Sequence, residues 1–191
     1  MNIFSIQTNL VFLEKPEWLD AFKQKHNDIP YEYHVTLKQP CKITEEGIKD
    51  VREKLNVFFQ NANKKSIPIT FNQLVLDNSE VDKNEGVIMI KAKNDEIVEL
   101  QKEILNLLSD YRDYYLPETE EYEKNFAPHI TIAANLSREK FDLAKADLKG
   151  DYLLKGVITK VVLSVRNFDS ATNNQDKRED YTYELSFTRI T

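Results

Sequence analysis

The sequence predicts an α+β fold built from a duplicated unit, on three observations. The tetrapeptides His34-Val35-Thr36-Leu37 and His129-Ile130-Thr131-Ile132 share one frame: His, apolar, Thr, apolar. The two histidines stand 95 residues apart, close to half of the 191-residue chain. Each motif is followed by a segment of helical periodicity and then by two β-rich runs, so the order of elements repeats. The expected architecture is pseudo-twofold symmetric, with the two motif faces opposed across a central cleft.

A first strand is predicted near Phe4–Leu13, followed by a helix opening at Pro16 with Trp18, Leu19 and Phe22 on one face. The first motif strand is expected over about Glu32–Lys38. Thr44-Glu45-Glu46-Gly47 reads as a helix start, with Thr44 as N-cap and an acidic first turn. Ile48, Val51, Leu55, Phe58 and Ala62 then recur at helical spacing, and β-rich runs follow at Ile67–Leu76 and Val87–Ala92. The second half repeats this order. An amphipathic helix is predicted over Asp95–Tyr111, then an acidic, Tyr-rich loop, then the second motif strand at about Pro128–Ala134. Ser137 caps a further helix. Strands Lys155–Val165 and Tyr181–Thr188, joined by the polar loop Asn167–Asp180, close the chain.

Composition bounds the function. With 41% hydrophobic and 30% charged residues and only 4 Gly, the chain reads as an ordinary globular protein with no compositional linker. A single bilobal domain over 1–191 is expected, its half-sites at 34–37 and 129–132 and its lobes intertwined. No run approaches a membrane span, the N-terminal residues do not read as a secretory signal, and the lone Cys41 is expected to pack in the interior. The cytoplasm is the expected compartment. A net charge of −6 excludes broad coating of long nucleic acid but not a small phosphate ligand in a locally positive cleft.

The chemistry lies in the two motifs. Given 11 Thr and 41% hydrophobics, any one histidine falls in this frame by chance in roughly 1% of cases. Two matches among three histidines therefore ask for an explanation. On a strand, residues i and i+2 share a face, so each motif displays an imidazole beside a hydroxyl while its apolar pair packs inward. Histidine titrates near neutrality, so one imidazole can accept a proton while the other donates one. Displacement at phosphorus needs those groups on opposite sides of the phosphate. Thr36 and Thr131 are placed to donate hydroxyl hydrogen bonds to its non-bridging oxygens. The chain has no His-x-His or His-x-x-x-His, and two imidazoles do not complete a typical zinc site, so no metal and no cofactor are expected.

Other residues carry weaker signals. A single His-x-Thr is explained by β-propensity alone, and His26, beside Lys23 and Lys25, is expected to be solvated. Lys38 shares the expected face of His34 and Thr36 and is a candidate substrate contact. Tyr31 and Phe126, each three residues before its histidine, are expected to pack in the core, although Pro128 could free Phe126 to stack on a base. Glu118–Glu123 reads as a solvated loop, able to move over the cleft.

Two such motifs in a chain of this length and order resemble the two-histidine (2H) phosphoesterase superfamily, which includes the 2′,5′ RNA ligase/cyclic phosphodiesterase branch. The resemblance covers nearly the whole chain. Phe126-Ala127-Pro128-His129-Ile130-Thr131-Ile132 is similar to the family's second motif, and Val161–Ser164 with Tyr181–Leu185 is similar to its last strand pair. It implies two antiparallel sheets lining the cleft with helices outside. It also implies metal-independent hydrolysis or ligation of RNA-type phosphodiesters, 2′,3′-cyclic phosphates or 2′,5′ linkages. His34 and His129 would be the acid/base pair, with His129 the base and His34 the acid in hydrolysis, and Thr36 and Thr131 would bind phosphate. Many relatives carry a basic residue just after the second motif, where this chain has Ala133-Ala134. That departure favours a small nucleotide or an RNA-end phosphate as substrate, taken by a monomer with no membrane partner. The competing readings are a non-catalytic binding module for phosphorylated nucleotides or RNA ends, and a structural protein whose histidines are buried.

Overall fold

The computed structural model describes residues 1–27, 32–62, 64–167 and 177–186. In chain order the elements are β1 (Asn2–Glu14), α1 (Trp18–His26), β2 (Thr36–Ile43), α2 (Glu45–Ala62), β3 (Ile67–Asp77) and β4 (Gly86–Ala92). They continue with α3 (Asp95–Leu107), α4 (Glu120–Lys124), β5 (His129–Leu136), α5 (Arg138–Asp147), β6 (Leu154–Asn167) and β7 (Lys177–Glu184). The α+β expectation holds. The order helix, strand, helix, strand, strand occurs twice, with the short α4 added in the second copy.

The expectation of two separate sheets is corrected. Among the described residues seven strands join in one antiparallel sheet, ordered β2-β1-β6-β3-β4-β5, with β7 also on β6. The cause is the length of β1 and β6, at 13 and 14 residues. They pair along almost their whole length, from Asn2↔Asn167 to Glu14↔Lys155. On its other side β6 divides: Leu154–Ile158 pair with β3, and Lys160–Asn167 pair with β7. One sheet thus forks into two wings.

Local signals account for the helices. The Thr44 hydroxyl accepts from Gly47 N at 3.1 Å and the Ser137 hydroxyl from Lys140 N at 3.3 Å, as their sequence positions predict. Asn94 caps α3 in the same way, accepting from Ile97 N at 3.0 Å. Helix α3 ends at Leu107, short of Tyr111, whose ring instead packs edge-on to Phe4. Strand β7 begins earlier than predicted, because its pairing to β6 runs on through exposed, polar Arg178–Asp180, which carry no apolar period. Tyr31, the loop segment 168–176 and the strand end 187–188 lie outside the described residues. Gly86, paired with Leu136, is required by close approach: a Cβ there would sit 2.9 Å from the Leu136 carbonyl oxygen.

Two further expectations fail for a shared reason, the packing of helices over polar side chains. His26 is not solvated. Its side chain is 7% exposed and its Nε2 lies 2.8 Å from the Asp147 carboxylate on α5. Nor is Glu118–Glu123 a free loop. It forms a 3-10 turn and α4, and Glu123 is buried.

That glutamate forms one of two contacts that tie the motif strands together. Helices α3 and α4, which lead into the second motif, pack against β2 of the first. The Glu123 carboxylate accepts from Gln39 N at 2.6 Å and from the Tyr114 hydroxyl at 2.7 Å, and lies 3.6 Å from Lys38 Nζ. Reciprocally, α1, which leads into the first motif, packs against β5 of the second. The side chain of Asn27 donates to the Ile132 carbonyl at 2.7 Å and accepts from Ala134 N at 3.1 Å. Each motif strand is therefore held by the segment that introduces the other.

Because Lys38 is 1% exposed, Glu123→Ala strands a buried ammonium and is expected to destabilise the protein by about 3 kcal/mol. Urea unfolding checks this, and Lys38→Met added to Glu123→Ala is expected to restore most of the loss. A cost under about 1 kcal/mol would contradict the assignment.

Candidate active site

The alternation expected of both motifs is present. Val35, Leu37, Ile130 and Ile132 are buried in the core, while His34, Thr36, His129 and Thr131 are half-buried on the other side. His129 opens β5, but His34 lies two residues before β2. There Val35 is held by Thr8: its amide donates to the Thr8 hydroxyl at 3.0 Å and its carbonyl accepts from Thr8 N at 2.9 Å. The chain thus keeps strand-like alternation without the full ladder.

The two imidazoles are anchored identically. His34 Nδ1 donates to the Glu32 carbonyl at 2.9 Å, and His129 Nδ1 donates to the Ala127 carbonyl at 2.8 Å. Both acceptors are the peptide two residues upstream. A carbonyl can only accept, so each Nδ1 carries a hydrogen and each Nε2 is left for chemistry. Among the described residues, neither threonine hydroxyl is engaged by another protein group. The histidines of the two halves are also within electrostatic reach of one another, since His129 is among the charges that act on His34.

Burial lowers the pKa of both imidazoles below the ordinary histidine value, opposed by the carbonyl hydrogen bonds. Nearby cations push in the same direction as burial: Lys23 and Arg178 for His34, Lys91 for His129. Both rings are therefore neutral at pH 7. An acidic chain has gathered positive charge around its histidines.

The remaining candidates lie elsewhere. Lys38 does not share the face of Thr36. Pairing of β2 with β1 slips between Gln7↔Thr36 and Ile6↔Lys38, and this bulge turns Lys38 inward, next to Glu123 and 5.3 Å above the Tyr114 ring. Phe126 is half-buried against the core. Cys41 is buried, as expected, and burial pushes its thiol pKa up to about 11. Among the described residues no group of three or more His, Cys, Asp or Glu side chains is placed to hold a metal ion, and no helix is long and apolar enough to cross a membrane.

Sequence reasoning missed Lys23, Lys91, Arg178, Asn27 and Glu123. Lys23 and Asn27, four residues apart around the end of α1, share a side, a signal present in the spacing. Lys91 stands directly opposite His129 in the β4–β5 pairing, a register no single sequence displays.

The family model of the 2′-5′ RNA ligase superfamily matches residues 14–169. No curated protein matches the sequence. Three similar solved structures are a phosphoesterase (11% identity, 97% of each chain covered, TM-score 0.56), a protein of Thermus thermophilus (14%, 97% of this chain and 98% of that one, 0.55), and E. coli LigT complexed with 3′-AMP (12%, 97% and 96%, 0.54). At these identities the likeness is one of fold.

An anion bound beside an imidazole favours its charged form, so binding of phosphate at the histidines at pH 7 is expected to draw protons from solution. Calorimetric titration with inorganic phosphate in two buffers of different ionisation enthalpy is expected to show net proton uptake. Equal apparent enthalpies, once corrected for dilution, would contradict the neutral assignment.

Proposed function

This chain belongs to the 2′-5′ RNA ligase superfamily, and from that premise we propose that it is a metal-independent phosphoesterase acting on RNA-type phosphodiesters through His34 and His129. The observation that carries the proposal is the matched anchoring of the two imidazoles. Each has Nδ1 tied to the carbonyl two residues upstream and Nε2 available, beside a threonine hydroxyl. That is the equipment for moving two protons at one phosphate.

In hydrolysis of a 2′,3′-cyclic phosphate, the neutral Nε2 of His129 takes a proton from the attacking water as its oxygen bonds to phosphorus. The protonated Nε2 of His34 gives a proton to the departing ribose oxygen as the P–O bond breaks. Water is added across one P–O bond, and the two histidines exchange protonation states. Run backwards, with a ribose hydroxyl as nucleophile, the same groups make a linkage. Thr36 and Thr131 donate to the non-bridging oxygens, whose charge grows in the transition state.

Small nucleotides suit this site better than long RNA. The second motif has no basic residue after it, and the net charge of −6 repels an extended polyanion. The E. coli protein with which the fold is shared has been crystallised with 3′-AMP, which supports the same ligand class here. The cleft between two motif-bearing halves, and the pseudo-twofold relation behind it, belong to this proposal. So does a single bilobal unit acting as a monomer.

Activity is tested on 2′,3′-cyclic mononucleotides and 2′,5′-linked dinucleotides. His34→Ala and His129→Ala are each expected to lower kcat/KM by about a thousandfold or more, and chelators are expected to have no effect. Turnover at the wild-type rate by the doubly substituted protein would refute the proposal. The pH profile follows from the lowered pKa values. kcat/KM falls at low pH as the base becomes protonated, and falls at high pH as the acid loses its proton. With both imidazoles below the ordinary value, the maximum is expected on the acid side of pH 6.5. A plateau extending above pH 8 would contradict it.

A further inference from the structure

We propose that Lys91 grips the substrate phosphate beside His129, supplying from β4 the positive charge that the second motif lacks in its own strand. The inference rests on the two-histidine reading above and extends it to a further substrate-binding residue.

The β4–β5 register pairs Lys91 with His129 and Met89 with Thr131. Directly opposed residues of an antiparallel pair project from the same face, with Cβ atoms about 5 Å apart. Lys91 therefore shares the face that carries the imidazole and the hydroxyl, and its flexible stem lets the ammonium reach the space above both. Lys91 is half-buried, and among the described residues it has no ion-pair partner. Other lysines on the sheet are held by carboxylates: Lys38 by Glu123, Lys42 by Asp113, Lys155 by Glu14 and Lys160 by Glu184. In a chain with 32 acidic against 26 basic side chains, a half-buried lysine with no carboxylate partner among the described residues suits an anion that arrives from outside.

In the first half the cations that act on His34, Lys23 and Arg178, come from α1 and β7, whereas Lys91 stands on the strand paired with the motif itself. A phosphodiester monoanion would sit with a non-bridging oxygen toward Lys91 and Thr131. The cation also acts on His129, lowering its pKa, so Lys91 influences both the grip on phosphate and the pH at which the imidazole works.

The test is steady-state kinetics of the full chain on a 2′,3′-cyclic mononucleotide, comparing wild type with Lys91→Gln, Lys91→Arg and the control Lys93→Gln. Lys93 is exposed and lies just beyond the end of β4. Lys91→Gln is expected to raise KM about tenfold with a smaller change in kcat. It is also expected to weaken the dependence of KM on salt and to move the low-pH limb of kcat/KM upward. Lys91→Arg should recover most of the affinity, and Lys93→Gln should match wild type. Phosphate titration followed by imidazole NMR applies the same comparison without turnover. If Lys91→Gln leaves affinity and its salt dependence unchanged, or only matches Lys93→Gln, the proposal is overturned. If His129→Ala remains fully active, the two-histidine reading fails, whatever Lys91 does.

Discussion

The site depends on a reciprocal exchange between the two halves of the chain. Along the path β2-β1-β6-β3-β4-β5 the two motif strands occupy opposite ends, so pairing within the sheet does not by itself bring their histidines together. Two crossed contacts link these strands from outside the sheet pairing. The Asn27 amide completes hydrogen bonds on β5, and the Glu123 carboxylate neutralises Lys38 while capping the backbone of β2. Each neutral hydrogen bond contributes on the order of 1 kcal/mol. The larger effect comes from burial: an ammonium that is 1% exposed on β2 has to have its carboxylate, which holds α4 and the approach to His129 in place. A pair that adds little net stability can still specify one arrangement.

That arrangement sets the electrostatics. With the rings half-buried and cations drawn around them, desolvation and like charge act together to keep both imidazoles neutral. The backbone carbonyls act alongside, orienting each ring and selecting its tautomer without placing a carboxylate in the site. A carboxylate partner would hold the ring protonated, whereas a carbonyl leaves the proton available for exchange. The excess of acid over base in the chain is carried by outer surfaces such as the exposed faces of α2 and α3. A negative protein and a positive site are therefore compatible.

Much of this was legible in the sequence, and what was hidden has a common cause. The two-residue period of His-x-Thr gave the orientation of all four site side chains, because alternation is a local property of extended chain. The caps at Thr44 and Ser137 were legible for the same reason. Lys38 was misplaced because a bulge in β2 breaks that period, and bulges arise from pairing with a neighbour. The burial of His26 and Glu123 is not legible in the sequence, because the local pattern of a helix or loop does not show which distant helix or strand covers its polar residues. The single forked sheet and the pairing of Lys91 with His129 are matters of strand register, set between segments tens of residues apart. Local chemistry was readable, and contacts between distant segments were not.

The crossed contacts matter because they hold two imidazoles, each hydrogen-bonded through Nδ1 to a backbone carbonyl, close enough to influence one another. Nitrogen-15 NMR of the imidazole rings, titrated in the wild type and in His129→Ala, tests this most directly. Both His34 and His129 are expected as the Nδ1–H tautomer in the neutral wild type, and the pKa of His34 is expected to rise when His129 is removed. An Nε2–H tautomer at either ring, or a His34 titration indifferent to His129, would contradict it.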